Sequence, residues 1–434
     1  MVRLRHGLGR RGYVGGFATA VARLDDGGGH PVVAGGALCP DGAVVAPGAR
    51  CTHDAAVAGV DGRWRSPGQA YVVQAAVAAS GARGGPPRRQ PDGVVIASGD
   101  VSPQGRVLAS READGVVFDA ELEAYGRRFD LNDAGYLERA DLVHAYGDLG
   151  WKDSEPGRLI RASRSQIEVF GSENWRGQRL SGGYQINTSL TFANYWQTFT
   201  ELHWRPWHYD DREIGDGTAL ERAGHLGWEQ AVSTDPRHAV VASASQSLYL
   251  LRGAYEYALD GDVTIHARPR LDVELLPSVE IARGEPRYAG TLADGTRSFG
   301  RQDATGLGLT ARATYTFTPR ATLQLYGQLF GQRVAYRDFA TAPAGLRAIR
   351  LADLVPAAPP PDPPGGASVV ANASIVFRWE WQLGSLLYVV YSRAQGAGAD
   401  PMAAAGRAVS IPWRPGLRAA ATQVVLVKAS YWWR

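Results

Sequence analysis

The chain is predicted to be all-β: one large antiparallel up-and-down barrel, with about 16 strands, an even number as bacterial single-chain barrels usually have. Three observations predict it. Apolar and polar residues alternate with period two over long stretches. The alternating runs are about 10 to 13 residues long, the length of a membrane-crossing strand rather than the shorter strand of a soluble sheet. The connections come in two sizes, as short turns and as long polar segments.

Alternation is clearest over Gly306–Phe317. Leu307, Leu309, Ala311, Ala313, Tyr315 and Phe317 fall on one face, and Gly308, Thr310, Arg312, Thr314 and Thr316 on the other. A helix would send Leu307 and Leu309 to different faces. Thr318-Pro319-Arg320 then turns the chain into Leu323, Leu325 and Leu329, which alternate with Thr322, Gln324 and Gln328. Two long strands joined by a short turn make an antiparallel hairpin.

The same unit recurs. Tyr184, Ile186, Leu190 and Phe192 alternate with polar residues, and Asn194-Tyr195 turns into Trp196–Trp204. Val263, Ile265 and Ala267 lead through Arg268-Pro269-Arg270 into Leu271, Val273, Leu275, Val279 and Ile281. Ala373, Ile375, Phe377, Trp379 and Trp381 lead through Gln382-Leu383-Gly384-Ser385 into Leu387, Val389 and Tyr391, and the last strand carries Val425, Val427, Ala429, Tyr431 and Trp433 on one face. Aromatic residues at strand ends fit the interfacial girdles of a transmembrane barrel.

Long loops are expected at 25–55, 81–114, 206–222, 282–303 and 333–368, all within a single transmembrane barrel domain spanning 1–434. Proline-rich Ala357–Gly366 cannot be strand and reads as an extended loop. At the N-terminus Val2 and Leu4 alternate with Arg3 and Arg5, as though the chain begins inside a strand, and no apolar export segment precedes them. The expectation is an N-terminally truncated barrel whose first strand is an open edge.

Composition excludes several classes. Mean hydropathy is −0.21 and no long uncharged apolar stretch forms a transmembrane helix. Charges are scattered around a net +3, without the basic stripe that nucleic acid requires. Cys39 and Cys51 lie in one Gly/Pro-rich stretch, either as a loop disulfide or as two unpaired thiols; spacing does not decide between them.

Chemistry-bearing residues are sparse. Asp210-Asp211, beside His208 and Tyr209, could be a hydrolytic pair, a calcium site or a polar loop turn; adjacent carboxylates rarely span a sugar, and the turn reading is preferred. Glu121, Glu123, Asp272, Glu274, Glu280, Arg312, Arg378 and Glu380 occupy the polar face of their strands. They read first as an ion-paired wall and, functionally, as a charged constriction lining a lumen. Histidines such as His144, His203, His225 and His266 show no zinc spacing, no nucleophile elbow or phosphate loop appears, and neither catalytic, metal nor cofactor residues are assigned. No enzyme activity is expected.

Several segments together resemble an uncharacterised bacterial outer-membrane β-barrel family that usually follows a carbohydrate-binding, family-nine-like module. They are Phe129-Asp-Leu-Asn-Asp-Ala-Gly-Tyr-Leu-Glu-Arg-Ala-Asp-Leu142, Tyr209–Arg212, Ser233–Arg237, Phe299-Gly-Arg301, Tyr315–Pro319, Leu323–Tyr326, Tyr336–Phe339 and the aromatic-rich Val427–Trp433. The resemblance runs from about Leu4 to the end. It implies a Gram-negative outer-membrane location, the lipid bilayer and the barrel-assembly machinery as partners, and carbohydrate reached through an absent N-terminal module. The function expected is a porin-like pore or a surface anchor. The alternative is a soluble or surface-bound β-rich carbohydrate-binding or hydrolytic protein, in which the apolar face would be packed into a core.

Overall fold

The structure is a computed structural model that describes residues 1–25, 29–399 and 410–433. It is dominated by one sheet of 20 strands. One of these is the two-residue strand Val355–Pro356; the other 19 follow one another along the chain, each antiparallel to the next. They are β1 (Val2–Gly7), β2 (Gly12–Val21), β3 (Asp54–Arg65), β4 (Tyr71–Arg83), β5 (Val101–Arg111), β6 (Gly115–Tyr125) and β7 (Leu142–Asp153). Next come β8 (Ile160–Glu173), β9 (Arg179–Phe192), β10 (Gln197–Arg205), β11 (His225–Ser233), β12 (Val240–Leu251) and β13 (Ala254–Arg268). The last are β14 (Leu271–Thr291), β15 (Arg297–Thr318), β16 (Ala321–Ala342), β17 (Gly366–Gln382), β18 (Ser385–Ala399) and β19 (Ala421–Ser430).

Each expected hairpin forms. Leu309 stands opposite Leu329, Leu323 opposite Phe377, and Val389 opposite Val427, so apolar positions match across neighbouring strands and share one face. That face is open: Leu309 is 48% and Val427 63% exposed, and no second layer covers them among the described residues. Arg312, on the other face, lies 2.9 Å from the Glu274 carboxylate opposite it.

All the long connections leave one end of the sheet, and the other end carries short turns. One end of the sheet carries 66–70, 112–114, 154–159, 193–196, 234–239, 269–270, 319–320 and 383–384. The other end carries 22–53, 84–100, 126–141, 206–224 and 343–365, together with the short connections 174–178, 252–253 and 292–296, and most of the buried hydrophobic residues gather there. Leu220, Phe299, Ala342 and Ile349 form the compact core, packed by Ile214, Tyr288 and Leu354. Cys39 and Cys51 are disulfide-bonded within the 22–53 connection.

Four expectations need correction. The sheet has 20 strands rather than about 16. The loop expected at 81–114 is only 84–100, because β5 follows; Pro103 and Gly105 hide its alternation. The loop expected at 282–303 shrinks to 292–296: Gly284, Pro286 and Gly290 read as breakers, but register shifts at Arg283/Glu285 and Tyr288/Gly290 absorb the irregularity inside β14. The loop at 333–368 narrows to 343–365, and 126–141 is a long connection the alternation did not reveal.

An odd count of antiparallel strands makes the first and last run the same way. Among the described residues β1 pairs only with β2 and β19 only with β18, so each leaves an unpaired edge. Every residue of β1 is exposed.

Candidate functional site

The long connections fold onto one another and build a cap. His208–Asp210 pairs with Leu220–Arg222, and Ala219-Leu220 runs parallel to Ala348-Ile349, so the connection after β10 is joined to the one after β16. Gly217 and Gly93 let a third connection, 84–100, meet the one after β10: a Cβ on Gly217 would lie 2.4 Å from the Asp92 carbonyl oxygen, and one on Gly93 2.5 Å from that of Asp216. Arg23 and His53 both reach Asp133, each at 2.6 Å, and Arg88 reaches Asp130 at 3.0 Å.

The cap is held by buried charge as well as by its apolar cluster. Arg222 donates to Glu285 at 2.8 and 2.5 Å and to Glu213 at 2.8 Å, while Arg287 donates to the other oxygen of Glu213 at 2.9 Å. Burial works against the Arg222 charge, but Glu285 beside it holds the guanidinium above its ordinary value. Removing one partner would strand a buried charge, the costly case for such networks. Burial also pulls His208 below the usual histidine range.

Asp211 is buried and receives Arg139 Nη2 at 3.0 and 3.2 Å and Asn174 Nδ2 at 2.9 Å. Asp210 accepts the amide N–H groups of Arg212 and Glu213. The adjacent carboxylates are thus turned to different partners, one tying three connections together and one closing its own turn. This is the turn reading rather than a pair flanking a shared gap.

The eight charged positions singled out in the sequence lie on the polar face but do not converge. Glu121 takes a two-pronged contact from Arg106, both bonds 2.7 Å, and Glu123 accepts from the Tyr125 hydroxyl at 3.2 Å. Asp272 pairs with His266 at 2.7 Å, Glu274 with Arg312 at 2.9 Å, and Arg378 lies 3.9 Å from Glu380. Glu280 lines a separate 280 Å³ cavity with Tyr249, Glu256 and Gln332. They are local pairs spread over β6, β14, β15 and β17 rather than one ring.

Sequence reasoning missed Arg106, Arg139, Glu213, Arg222 and Glu285. Arg106 carried little signal, because Pro103 and Gly105 hide the alternation of its strand. Arg139, Glu213 and Arg222 lie in connections, and Glu285 at a register shift of β14, where no periodicity marks which charges will meet.

At the foot of the cap a 1260 Å³ cleft is lined by Trp204, Trp207, Phe339, Arg252 and Arg301 among others. Flat rings beside guanidinium groups can stack on a ring-shaped ligand and pair with an anionic group. No curated protein matches this chain. A family profile does match, over residues 49–403, and the chain belongs to that family, Domain of unknown function (DUF5916).

Proposed function

We propose that the sheet closes on itself as an integral outer-membrane β-barrel and that the chain works as a water-filled conduit capped at its long-loop end. The observation that carries this reading is the uncovered apolar face. In register across five strands stand Ile167, Ile186, Leu202, Trp228 and Leu248. Ile167, Ile186, Leu202 and Trp228 are exposed, and among the described residues no layer packs on them. A soluble protein rarely leaves so large an apolar surface open, whereas hydrocarbon covers it at no cost.

Further features support the same reading. Trp196 and Trp204 mark the two ends of one strand face, eight residues apart, a rise of about 26 Å along the strand. Trp64, Trp151 and Trp379 stand near the short-turn end, and Tyr184, Trp228 and Tyr255 near the cap. Between the rows runs a line of polar residues, Ser165, Thr188, Thr200 and Gln230. Ser165 and Thr188 hydrogen-bond each other at 3.0 Å, and Thr200 donates to Gln230 at 2.7 Å, as groups placed in hydrocarbon must. Among the described residues no helix is long and apolar enough to cross a membrane.

Contacts between distant connections favour closure. Leu220 follows β10 and Ile349 follows β16, so their pairing bridges six strands. Barrels of this strand number enclose a wide lumen, and the connected loops lie where they would cover its mouth. The experiment is single-channel recording in planar bilayers. The intact chain is expected to conduct weakly, and a variant lacking 343–365 to conduct at least several-fold more. Absence of insertion would reject the barrel; insertion without current in both forms would reject the conduit.

A further inference from the structure

One cluster on the polar face belongs neither to the cap nor to the eight charged positions. Glu201 and His203 of β10, His225, Gly227 and Glu229 of β11, and Tyr249 of β12 all point to that face, since the alternate positions carry Leu202, Trp204, Leu226, Trp228 and Leu250. Register sets Glu201 directly opposite Glu229, and sets Gly227 between His203 and Tyr249.

Gly227 is the structural key. A Cβ there would fall 2.0 Å from His203 Nε2. Its missing side chain leaves a pit over which the His203 ring lies, with His225 at 5.2 Å and Tyr249 at 5.4 Å between ring centres. His203 is only 3% exposed.

The polar groups of this pit are under-served. Two carboxylates directly opposite each other repel. Glu201 Oε1 lies 3.0 Å from His203 Nδ1, and the Tyr249 hydroxyl donates to Glu229 at 2.7 Å. Among the described residues neither glutamate has an arginine or lysine partner, unlike Glu121, Glu213 and Glu285. His203 Nε2 is buried without any hydrogen-bond partner. A buried, half-partnered imidazole beside two unneutralised carboxylates is a costly arrangement unless something else binds there.

A divalent cation would neutralise the two facing carboxylates and take the place of the Glu201 contact at His203 Nδ1. One ligand atom each from Glu201, His203 and Glu229 lies within 4.8 Å of the others. One imidazole nitrogen with two carboxylates is a mixed set that suits a first-row transition ion better than calcium or magnesium, which take oxygen ligands. Three protein ligands leave a coordination position open to water from the polar face.

We propose that Glu201, His203 and Glu229 form a mononuclear binding site for a divalent first-row transition metal, with Tyr249 orienting Glu229 from outside the coordination shell. The site ties β10 to β11 and does not depend on the membrane reading. Hydrogen-bonded partners of metal-bound carboxylates hold the ligand in place and tune its affinity.

The test is zinc titration of the full chain, purified in detergent and stripped with chelator, followed by calorimetry and by metal analysis after dialysis. One zinc ion per chain is expected. His203→Gln and Glu229→Gln should each abolish stoichiometric binding, Tyr249→Phe should weaken it about 10-fold, and His144→Gln should leave it unchanged. Cobalt substituted for zinc adds a readout that does not depend on the variants: visible absorption bands from a nitrogen-and-oxygen site, absent in Glu229→Gln. Folding of each variant is checked by circular dichroism; should His203→Gln not fold, Glu229→Gln and the cobalt bands on the unaltered chain decide. A folded unaltered chain that takes up no stoichiometric zinc or cobalt overturns the proposal, as does binding that survives in Glu229→Gln.

Discussion

Leu220 and Ile349 stand side by side in a parallel pairing, both with no exposed surface, although they belong to connections that leave the sheet six strands apart. With Phe299 and Ala342 they are the compact core of a protein whose sheet has an uncovered apolar face. Leu220→Ala should therefore unlock the cap and not the sheet. The expected cost is about 2–5 kcal/mol of cap stability. Hydrogen exchange should show lost protection over 206–222 and 348–354 while the amides of β14 to β16 stay protected. Uniform loss would mean that cap and sheet unfold together.

Gly217 has a φ of +86° and no room for a side chain against Asp92. Gly217→Val is expected to push 84–100 away from 206–218 and to speed limited proteolysis in both segments. Gly42, which also has positive φ but nothing near its missing Cβ, serves as the comparison. There valine should strain only its own turn.

Acid should loosen the cap in two stages. His208 is held neutral by burial, with its folded value lowered. Its stabilising share is complete above the unfolded value of about 6.5 and falls away as pH drops from there through the folded value. Asp133 is lowered overall, since bonds from His53 and Arg23 outweigh burial, and Asp216 likewise through Thr218 and Arg297. Their shares are complete above about 3.9 and are lost as pH falls through their folded values. Asp92, pushed up by burial, works the other way, because protonation relieves its buried charge. Proteolytic sensitivity of 206–222 measured against pH should rise first below about pH 6.5; a flat profile down to the carboxylate range would remove His208 from this account.

Ile186 is 55% exposed on the apolar face, two residues inside the row of Tyr184 and Trp204. Arginine there separates lipid from water. Facing hydrocarbon it should cost about 2–4 kcal/mol; facing water it should fall within about 0.5 kcal/mol of neutral. Equilibrium unfolding from lipid vesicles measures the difference, and a neutral result would reject the membrane reading.

The unpaired edges of β1 and β19 run in the same direction, so direct closure needs a parallel seam. Cysteines placed at Leu4 and Val425, one on each edge strand, should cross-link under oxidation if the two edges meet. Failure to cross-link, with β2 and β18 still folded, would mean that the edges do not meet directly.

Much of the sheet was legible because a strand writes its two environments into alternate residues. Leu307, Leu309, Tyr315 and Phe317 declare one face and Thr310, Arg312 and Thr314 the other, whatever lies around them. Leu309 opposite Leu329 follows from the same periodicity once the hairpin at Thr318–Arg320 sets the register, whereas Glu274 meets Arg312 through the 292–296 turn. Two strands obscured that signal: Val101–Arg111 through Pro103 and Gly105, and the far half of Leu271–Thr291 because its bulges trade alternation for curvature.

By itself, then, the chain's order of residues set the antiparallel ladder, its two chemically distinct faces and the placing of short turns, since these depend on neighbours two residues away or one hairpin across. Only the tertiary structure decided that Arg139 meets Asp211, that Leu220 lies beside Ile349, that Cys39 bonds Cys51, and that Glu201, His203 and Glu229 gather over the space left by Gly227. Such meetings depend on how irregular connections fold over one another and on cross-strand register summed over many residues, and no local pattern of side chains encodes a distance of that kind.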